Sequence, residues 1–303
     1  MVVGMGLQTG ALQVAYSKAA QAASVFFVDS STADTLQKAY RDAQRGKDKF
    51  KILIVPGHDM QSSGTSFGGL SEADLNLAAA KLLAEEFEQD SNVEARLARN
   101  DLGYDPELAW YFVQNRDDIL AYRASQQAQM QGHLASGNIA SNIVVSHNFA
   151  PSEVALKLYG INMWANEEDY DLVLHIHFND VPRFDRSRPG WPAGFALYVP
   201  ERQFSNAKGS MAVAQAIQQK LLKLYRVSTL PGESTSPTED QELIAIGSNN
   251  SLDASSVLIE YAYIYEPLVQ DDLLREQSLK NMARLTYEGV EDFLNKRTEL
   301  VIK

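Results

Sequence analysis

Two histidines and a glutamate close three of the most apolar strand-like runs in this 303-residue chain. Ile52–Val55 leads into Pro56-Gly57-His58, Leu172–Ile176 into His177, and Val257–Ile259 into Glu260. In open α/β sheets, ligands bind beyond the carboxyl ends of the strands, where side chains from different strands meet. The three residues are therefore candidates for one site, although a single sequence does not show strand order. Cysteine is absent and only five histidines occur, so a metal here would be held by nitrogen and oxygen alone. Two imidazoles with one or two carboxylates suit a catalytic zinc ion with an open position for an acidified water. A further carboxylate, off the metal, is then needed to carry protons. Glu72 and Glu260 are the candidates for these two roles. Glu72 falls in the first turn of an expected helix, where the macrodipole favours an ionised carboxylate, and this favours Glu72 as the ligand.

The elements that must position these groups alternate along the chain. A short helix is expected from about Ala33 to Arg45, capped by Ser31 or Thr32 and stopped by Gly46. A strand over Phe50–Val55 ends at Pro56-Gly57, a glycine-rich loop follows, and Ser71 caps a helix through Phe87 in an S-x-x-D pattern with Asp74. A strand near Val93–Leu97 precedes a long polar, partly helical insertion over about 101–152. Ile143–Val145 reads as a short strand, Ser152–Ala165 as a helix, Asp171–His177 and Phe195–Val199 as strands, and Asn206–Arg226 as a helix. Pro231–Glu242 reads as an acidic loop, Ser256–Tyr261 as the last strand, and Leu273–Asn295 as the closing helix. Strands separated by helices imply an α/β fold, a mostly parallel or mixed sheet flanked by helices. The expected organisation is one catalytic domain over residues 50–303, with the insertion as a potential lid, behind an amino-terminal extension of residues 1–49.

Composition excludes several classes. A net charge of −12 opposes binding to nucleic acid or to an anionic membrane surface. No run of about 18 apolar residues spans a membrane. The first residues lack the basic start and apolar stretch of a clear export signal. Gly64-Thr-Ser66-Phe-Gly68 satisfies the G-x-S-x-G pattern of serine hydrolases, but Ser66 lies well past the strand and before the helix, not on the sharp turn that chemistry requires.

Read together, Ile54-Val-Pro-Gly-His58, Gly64, Gly68-Gly-Leu70 and Glu72-Ala-Asp-Leu-Asn76 resemble the opening of the zinc-dependent N-acetylmuramoyl-L-alanine amidases, which are cell-wall hydrolases. Arg99-Asn-Asp101, His177-Phe-Asn179, Gly194-Phe195, and Val257-Leu-Ile-Glu260 with Glu266-Pro267 resemble later motifs of that family, in the same order. The resemblance runs from about Lys51 to the end of the chain. It implies one Zn2+ per chain, bound by His58, Glu72 and His177, and Glu260 as the catalytic carboxylate. It also implies cleavage of the amide between the lactyl group of N-acetylmuramic acid and L-alanine in peptidoglycan, by a monomer acting outside the cytoplasm.

Two features depart from the family pattern. His175 stands where a small residue is usual; two positions from His177 on one strand face, it is expected in a supporting role beside the metal, as is Asn179. The insertion is also longer than a minimal amidase needs. Arg183, Arg186, Arg188 and Trp191, directly after the His177 strand, are candidates for contact with a carboxylate-bearing peptide or a sugar. Two other functions remain open to the sequence: a catalytically quiet zinc module that binds wall fragments, and a zinc peptidase acting on other peptides. Glu260 favours an enzyme, because a binding module needs no proton carrier.

Overall fold

The computed structural model describes residues 29–143, 150–234, 236–247 and 251–296. Helix α1 (Ala33–Gln44) is capped by Thr32, whose side chain accepts from the Thr35 N–H while Thr35 answers in reverse. Strand β1 (Phe50–Pro56) follows, then a minimal hairpin of β2 (Ser66–Phe67) and β3 (Leu70–Ser71), then α2 (Glu72–Phe87) with Ser71 as its cap. Strand β4 (Val93–Leu97) runs into a second small hairpin, β5 (Arg99–Asn100) and β6 (Gly103–Tyr104). The insertion forms α3 (Pro106–Gln114) and α4 (Arg116–Ala135), ahead of α5 (Ser152–Glu167). Then come β7 (Leu172–Asn179), β8 (Ala196–Pro200), α6 (Ala207–Leu221), β9 (Thr238–Asp240), β10 (Ser255–Tyr263), α7 (Pro267–Gln270) and α8 (Asp272–Asn295).

Six strands form one sheet in the order β4-β1-β7-β10-β8-β9. The first four are parallel; β8 runs against β10 and β9 runs with β8, so the sheet is mixed. The parallel strands are apolar on both faces, as strands covered by helices on both sides must be. Leu172, Leu174, Ile176 and Phe178 of β7 enter the larger core with α1, α2, α6 and α8. Val173 of β7 and Leu53 and Val55 of β1 face the opposite core, with residues of α3, α4 and α5. Leu108, Tyr111 and Ile119 of the insertion are buried there against Leu156, Tyr159 and Trp164, so α3 and α4 form an outer layer of that face.

The strand order places the site. From β1 the chain crosses through α2 to the edge strand β4, then returns past β1 to β7. The direction of winding reverses between β1 and β7, and a crevice opens at their carboxyl ends. His58 follows β1 and His177 lies near the end of β7.

Several boundaries differ from the sequence pattern. The acidic 231–242 segment contains β9, which the pattern cannot show because its partners are supplied by β8. Ile143 is in no strand, and the rest of the strand expected there lies outside the described residues. The helix expected through Arg226 ends at Leu221. At the amino end of β7, Asp171 accepts a hydrogen bond from the Lys51 N–H at 2.8 Å, and its carbonyl accepts from Ser255. Burial pushes this carboxyl up to about 6. A carboxyl whose folded pKa is raised stabilises the fold below its unfolded value, and loses that contribution as pH rises through the folded value. Asp171→Asn should therefore raise the thermal midpoint relative to wild type at pH 7.5 and not at pH 4; an equal effect at both pH values would show that ionisation there does not matter.

Candidate metal centre

The turn after β1 brings the first imidazole into place. Gly57 donates its N–H to the Ile176 carbonyl of β7 at 2.8 Å, which carries the chain across the end of that strand. A Cβ at Gly57 would lie 2.1 Å from the His177 ring, so only glycine passes there. His58 then adopts φ +61°, a left-handed conformation rare for a residue with a side chain. Such strain persists where surrounding structure enforces it, and it clusters at functional sites.

The loop from 59 to 71 folds back over the start of α2. The Thr65 carbonyl accepts from the Glu72 N–H at 2.9 Å, and the Ser63 carbonyl from the Ala73 N–H at 3.1 Å. Gly64, at φ +70°, passes so close that a Cβ would sit 2.3 Å from Glu72 Oε2 and 2.7 Å from the His58 ring. The Glu72 carboxylate is buried, 5% exposed, and each of its oxygens faces one imidazole. Oε1 lies 3.0 Å from His177 Nδ1 and Oε2 lies 3.2 Å from His58 Nε2. The Thr65 N–H also donates to Oε2 at 3.1 Å. The two rings stand nearly perpendicular, with centroids 5.3 Å apart.

The electrostatics follow from this packing. Burial alone would raise the Glu72 carboxyl, but hydrogen bonds from His177 and His58, with their charge where protonated, hold it well below the ordinary range. Burial lowers His177 and outweighs the pull of Glu72, leaving a neutral ring with a lone pair. His58 is partly open to solvent; burial lowers it too, but Glu72 prevails and the net shift is upward. Ligand atoms of His58, Glu72 and His177 all lie within 4.8 Å of one another. Two nitrogens and one buried carboxylate oxygen fit a zinc ion that retains an open position.

Glu260 stands opposite His177 in the β10–β7 register and points to the same sheet face, away from the larger core that holds Ile259 and Tyr261. Its Oε2 is buried without a hydrogen-bond partner. Burial, with the nearby charges of Glu72 and Glu233, pushes it well above the usual carboxylate range. It lies outside the three-residue cluster, as a group that carries protons beside a metal would.

Residues 52–292 match the model of the N-acetylmuramoyl-L-alanine amidases. The chain belongs to that family. Its fold is similar to an N-acetylmuramoyl-L-alanine amidase from Clostridium difficile 630, with 16% identity over 83% of this chain and 100% of that one, TM-score 0.54. It is also similar to the CwlD amidase of Clostridioides difficile, solved in complex with the GerS lipoprotein (18% identity, 81% of this chain and 98% of that one, TM-score 0.51). A third similar structure is the amidase AmiC2 of Nostoc punctiforme (18%, 82% and 98%, TM-score 0.50). No curated protein matches the chain by sequence. Membership makes the chain an amide hydrolase of the peptidoglycan-cleaving class.

The remaining residues singled out in the sequence are dispersed. His175 is 1% exposed beneath the centre; one nitrogen is engaged with the Ala245 backbone and Nε2 has no partner. It is not in the metal cluster. Asn179 does not reach that cluster either: its amide donates to Glu233 at 3.0 Å. Arg183 is taken up by its own loop, bonded to Asp180 at 2.8 Å and to the carbonyls of Arg186 and Arg188, with its guanidinium over Phe67 and Tyr265. Arg186, Arg188 and Trp191 are exposed on that loop. Asp180 also accepts from the Thr65 hydroxyl, which joins this loop to the one covering Glu72. Ser66 is exposed in the β2–β3 hairpin, not on a strand-to-helix elbow.

Some contributors carry no sequence signal for a role at the site. Lys157 of α5 reaches the loop beside His58, pairing with Asp59 at 2.5 Å, and Tyr104 donates to the same carboxylate. Glu233, from the segment read as a loop, is buried and accepts from Asn179, Tyr198, Ser228 and Tyr263. Only the folded chain brings such partners together. Gly64→Ala should displace Glu72 and lower the affinity for zinc at least about tenfold, a change of roughly 1.4 kcal/mol, with the protein still folded. Chelator competition measures this; an unchanged affinity would mean the loop yields without moving Glu72.

Proposed function

We propose that this chain hydrolyses the amide between N-acetylmuramic acid and L-alanine of the stem peptide in a zinc-dependent reaction. His58, Glu72 and His177 are its metal ligands and Glu260 its proton carrier. One observation carries the reading: a buried carboxylate with an imidazole nitrogen 3.0 and 3.2 Å from its two oxygens, in a chain of the amidase family. An anion so placed is costly unless a cation completes the group.

When bound, zinc supplies Lewis acidity to the scissile carbonyl and acidifies a water. The chain's own groups prepare that chemistry. Glu72 presents negative charge to offset the metal, and His58 and His177 each offer an imidazole nitrogen. Glu260, in its carboxylate form, can accept a proton from the attacking water, and burial makes that carboxylate the stronger base. It then returns that proton to the nitrogen of L-alanine as the carbon–nitrogen bond breaks. The loop after β7 offers Arg186 and Arg188 to the stem-peptide carboxylates and the Trp191 ring to a sugar face. Because peptidoglycan is the substrate, the site of action is outside the cytoplasm; among the described residues no helix is long and apolar enough to cross a membrane.

Zinc-loaded protein incubated with peptidoglycan or a muramoyl tripeptide should expose new L-alanine amino termini, lose that activity on chelation and regain it with zinc. Glu260→Gln should lower kcat about 100-fold or more while zinc content and thermal midpoint stay near wild type. No new termini from the zinc-loaded wild type would favour a non-catalytic wall-binding module, and release of amines from peptides lacking muramic acid would favour a peptidase. Arg188→Ala should raise KM for a muropeptide several-fold with kcat little changed; unaltered kinetics would remove this arginine from substrate contact.

A further inference from the structure

Arg99 is a buried cation, 6% exposed, that forms no salt bridge among the described residues. Burying a guanidinium without a carboxylate is unfavourable unless its donors are used fully. Among the described residues its hydrogen bonds all go to backbone carbonyls: Nε to Pro56 at 3.1 Å, and Nη2 to Gly57 at 3.1 Å and Ala73 at 2.7 Å. Pro56 and Gly57 form the turn that delivers His58. Ala73 directly follows Glu72 in the first turn of α2. One planar side chain thus ties together the two backbone segments that carry His58 and Glu72.

The placement has a structural origin. Leu97 of β4 is in register with Ile54 of β1, so the chain two residues on runs beside Pro56, and the β5–β6 hairpin turns it back there. Asn76, fully buried one helical turn beyond Glu72, donates to the same Gly57 carbonyl at 2.9 Å. The strained turn at His58 therefore has its two preceding carbonyls locked from one side by β5 and from α2. A planar fork with fixed donors suits this better than a flexible ammonium, which acts as a point charge.

We propose that Arg99 is a positioning residue of the metal centre: by bridging the Pro56-Gly57 turn and the Ala73 carbonyl it sets the distance between His58 and Glu72, and with it the affinity for the metal. The inference rests on the assignment of His58, Glu72 and His177 as ligands. It differs from a purely structural role, in which loss of Arg99 lowers stability but a folded molecule binds metal as before.

The test is zinc affinity of the full chain by chelator competition, read beside the thermal midpoint of the metal-free protein. Arg99→Gln and Arg99→Lys are compared with Asn76→Ala, which removes one bond to the same turn and a longer one, 3.5 Å, to Glu72 Oε1 itself. Arg99→Gln should bind zinc at least tenfold more weakly than wild type in protein that remains folded, about 1.4 kcal/mol. Arg99→Lys should fall between, keeping the charge and losing the fork, and Asn76→Ala should weaken binding as well, since it loosens both the turn and Glu72. Methylguanidine at millimolar concentration should restore part of the affinity of Arg99→Ala without raising that of Arg99→Lys. If Arg99→Gln does not fold, Arg99→Lys decides, since it preserves the buried cation. Folded variants whose zinc affinity lies within twofold of wild type overturn the proposal while leaving the ligand assignment intact. Failure of the wild type itself to bind zinc overturns that assignment instead.

Discussion

Everything at this centre depends on keeping an ionised carboxylate inside the protein. Glu72 is buried, and desolvation opposes its charge. What holds it ionised is the approach of one imidazole to each oxygen, from two different segments of chain. That arrangement tolerates little movement, because hydrogen bonds weaken steeply as they lengthen and a buried carboxylate has no water to replace them. The surroundings are built accordingly. A left-handed histidine, two glycines where a methyl group would collide, and a guanidinium spent on three carbonyls all serve to keep two loops at a fixed separation.

The sheet makes this local geometry possible. Parallel strands β1 and β7 are neighbours, and their connections leave in opposite directions, so a crevice opens at their carboxyl ends without any element having to bend around it. The same register sets Glu260 beside His177. The two faces of the sheet have different tasks. The larger core, through Ile52, Ile54, Leu174, Ile176 and Ile259, anchors the strands rigidly. The opposite face carries His175, His177 and Glu260 in place of aliphatic side chains, and it is the face closed by the inserted helices. Polar groups there lack partners: Glu260 Oε2 and His175 Nε2 are both orphaned. An unpartnered buried polar atom costs about 1–3 kcal/mol, and proteins retain such atoms chiefly where function uses them.

The helices between β6 and α5 serve the fold first. There α3 and α4 bury Leu108, Tyr111 and Ile119 against α5, and α5 in turn sends Lys157 to Asp59, next to His58. The loop after β7 has a comparable division of labour. Arg183, though exposed in pattern, is enclosed between Phe67 and Tyr265 and organises the loop, while its neighbours Arg186 and Arg188 remain in solvent. Three arginines in six residues look equivalent in a sequence; packing assigns them different work.

The order of elements, the α/β class and the strand-end positions of His58, His177 and Glu260 were legible from apolar runs and their terminators, because local periodicity and turn chemistry encode them directly. The place of Glu72 in a helix first turn was legible from the Ser71 capping pattern, while its role as a ligand rests on the family resemblance. The exclusion of cysteine chemistry and the acidic balance were matters of composition alone. Adjacency was not: strand order decides that β1 and β7 are neighbours, that β9 exists at all, and that Arg99 lies beside Pro56 rather than on the surface. Asn179, two residues past His177, donates to Glu233, a residue 54 positions away that no spacing rule connects to it. Charges and hydrogen bonds act through distance in space, and for residues so far apart along the chain only tertiary structure sets that distance.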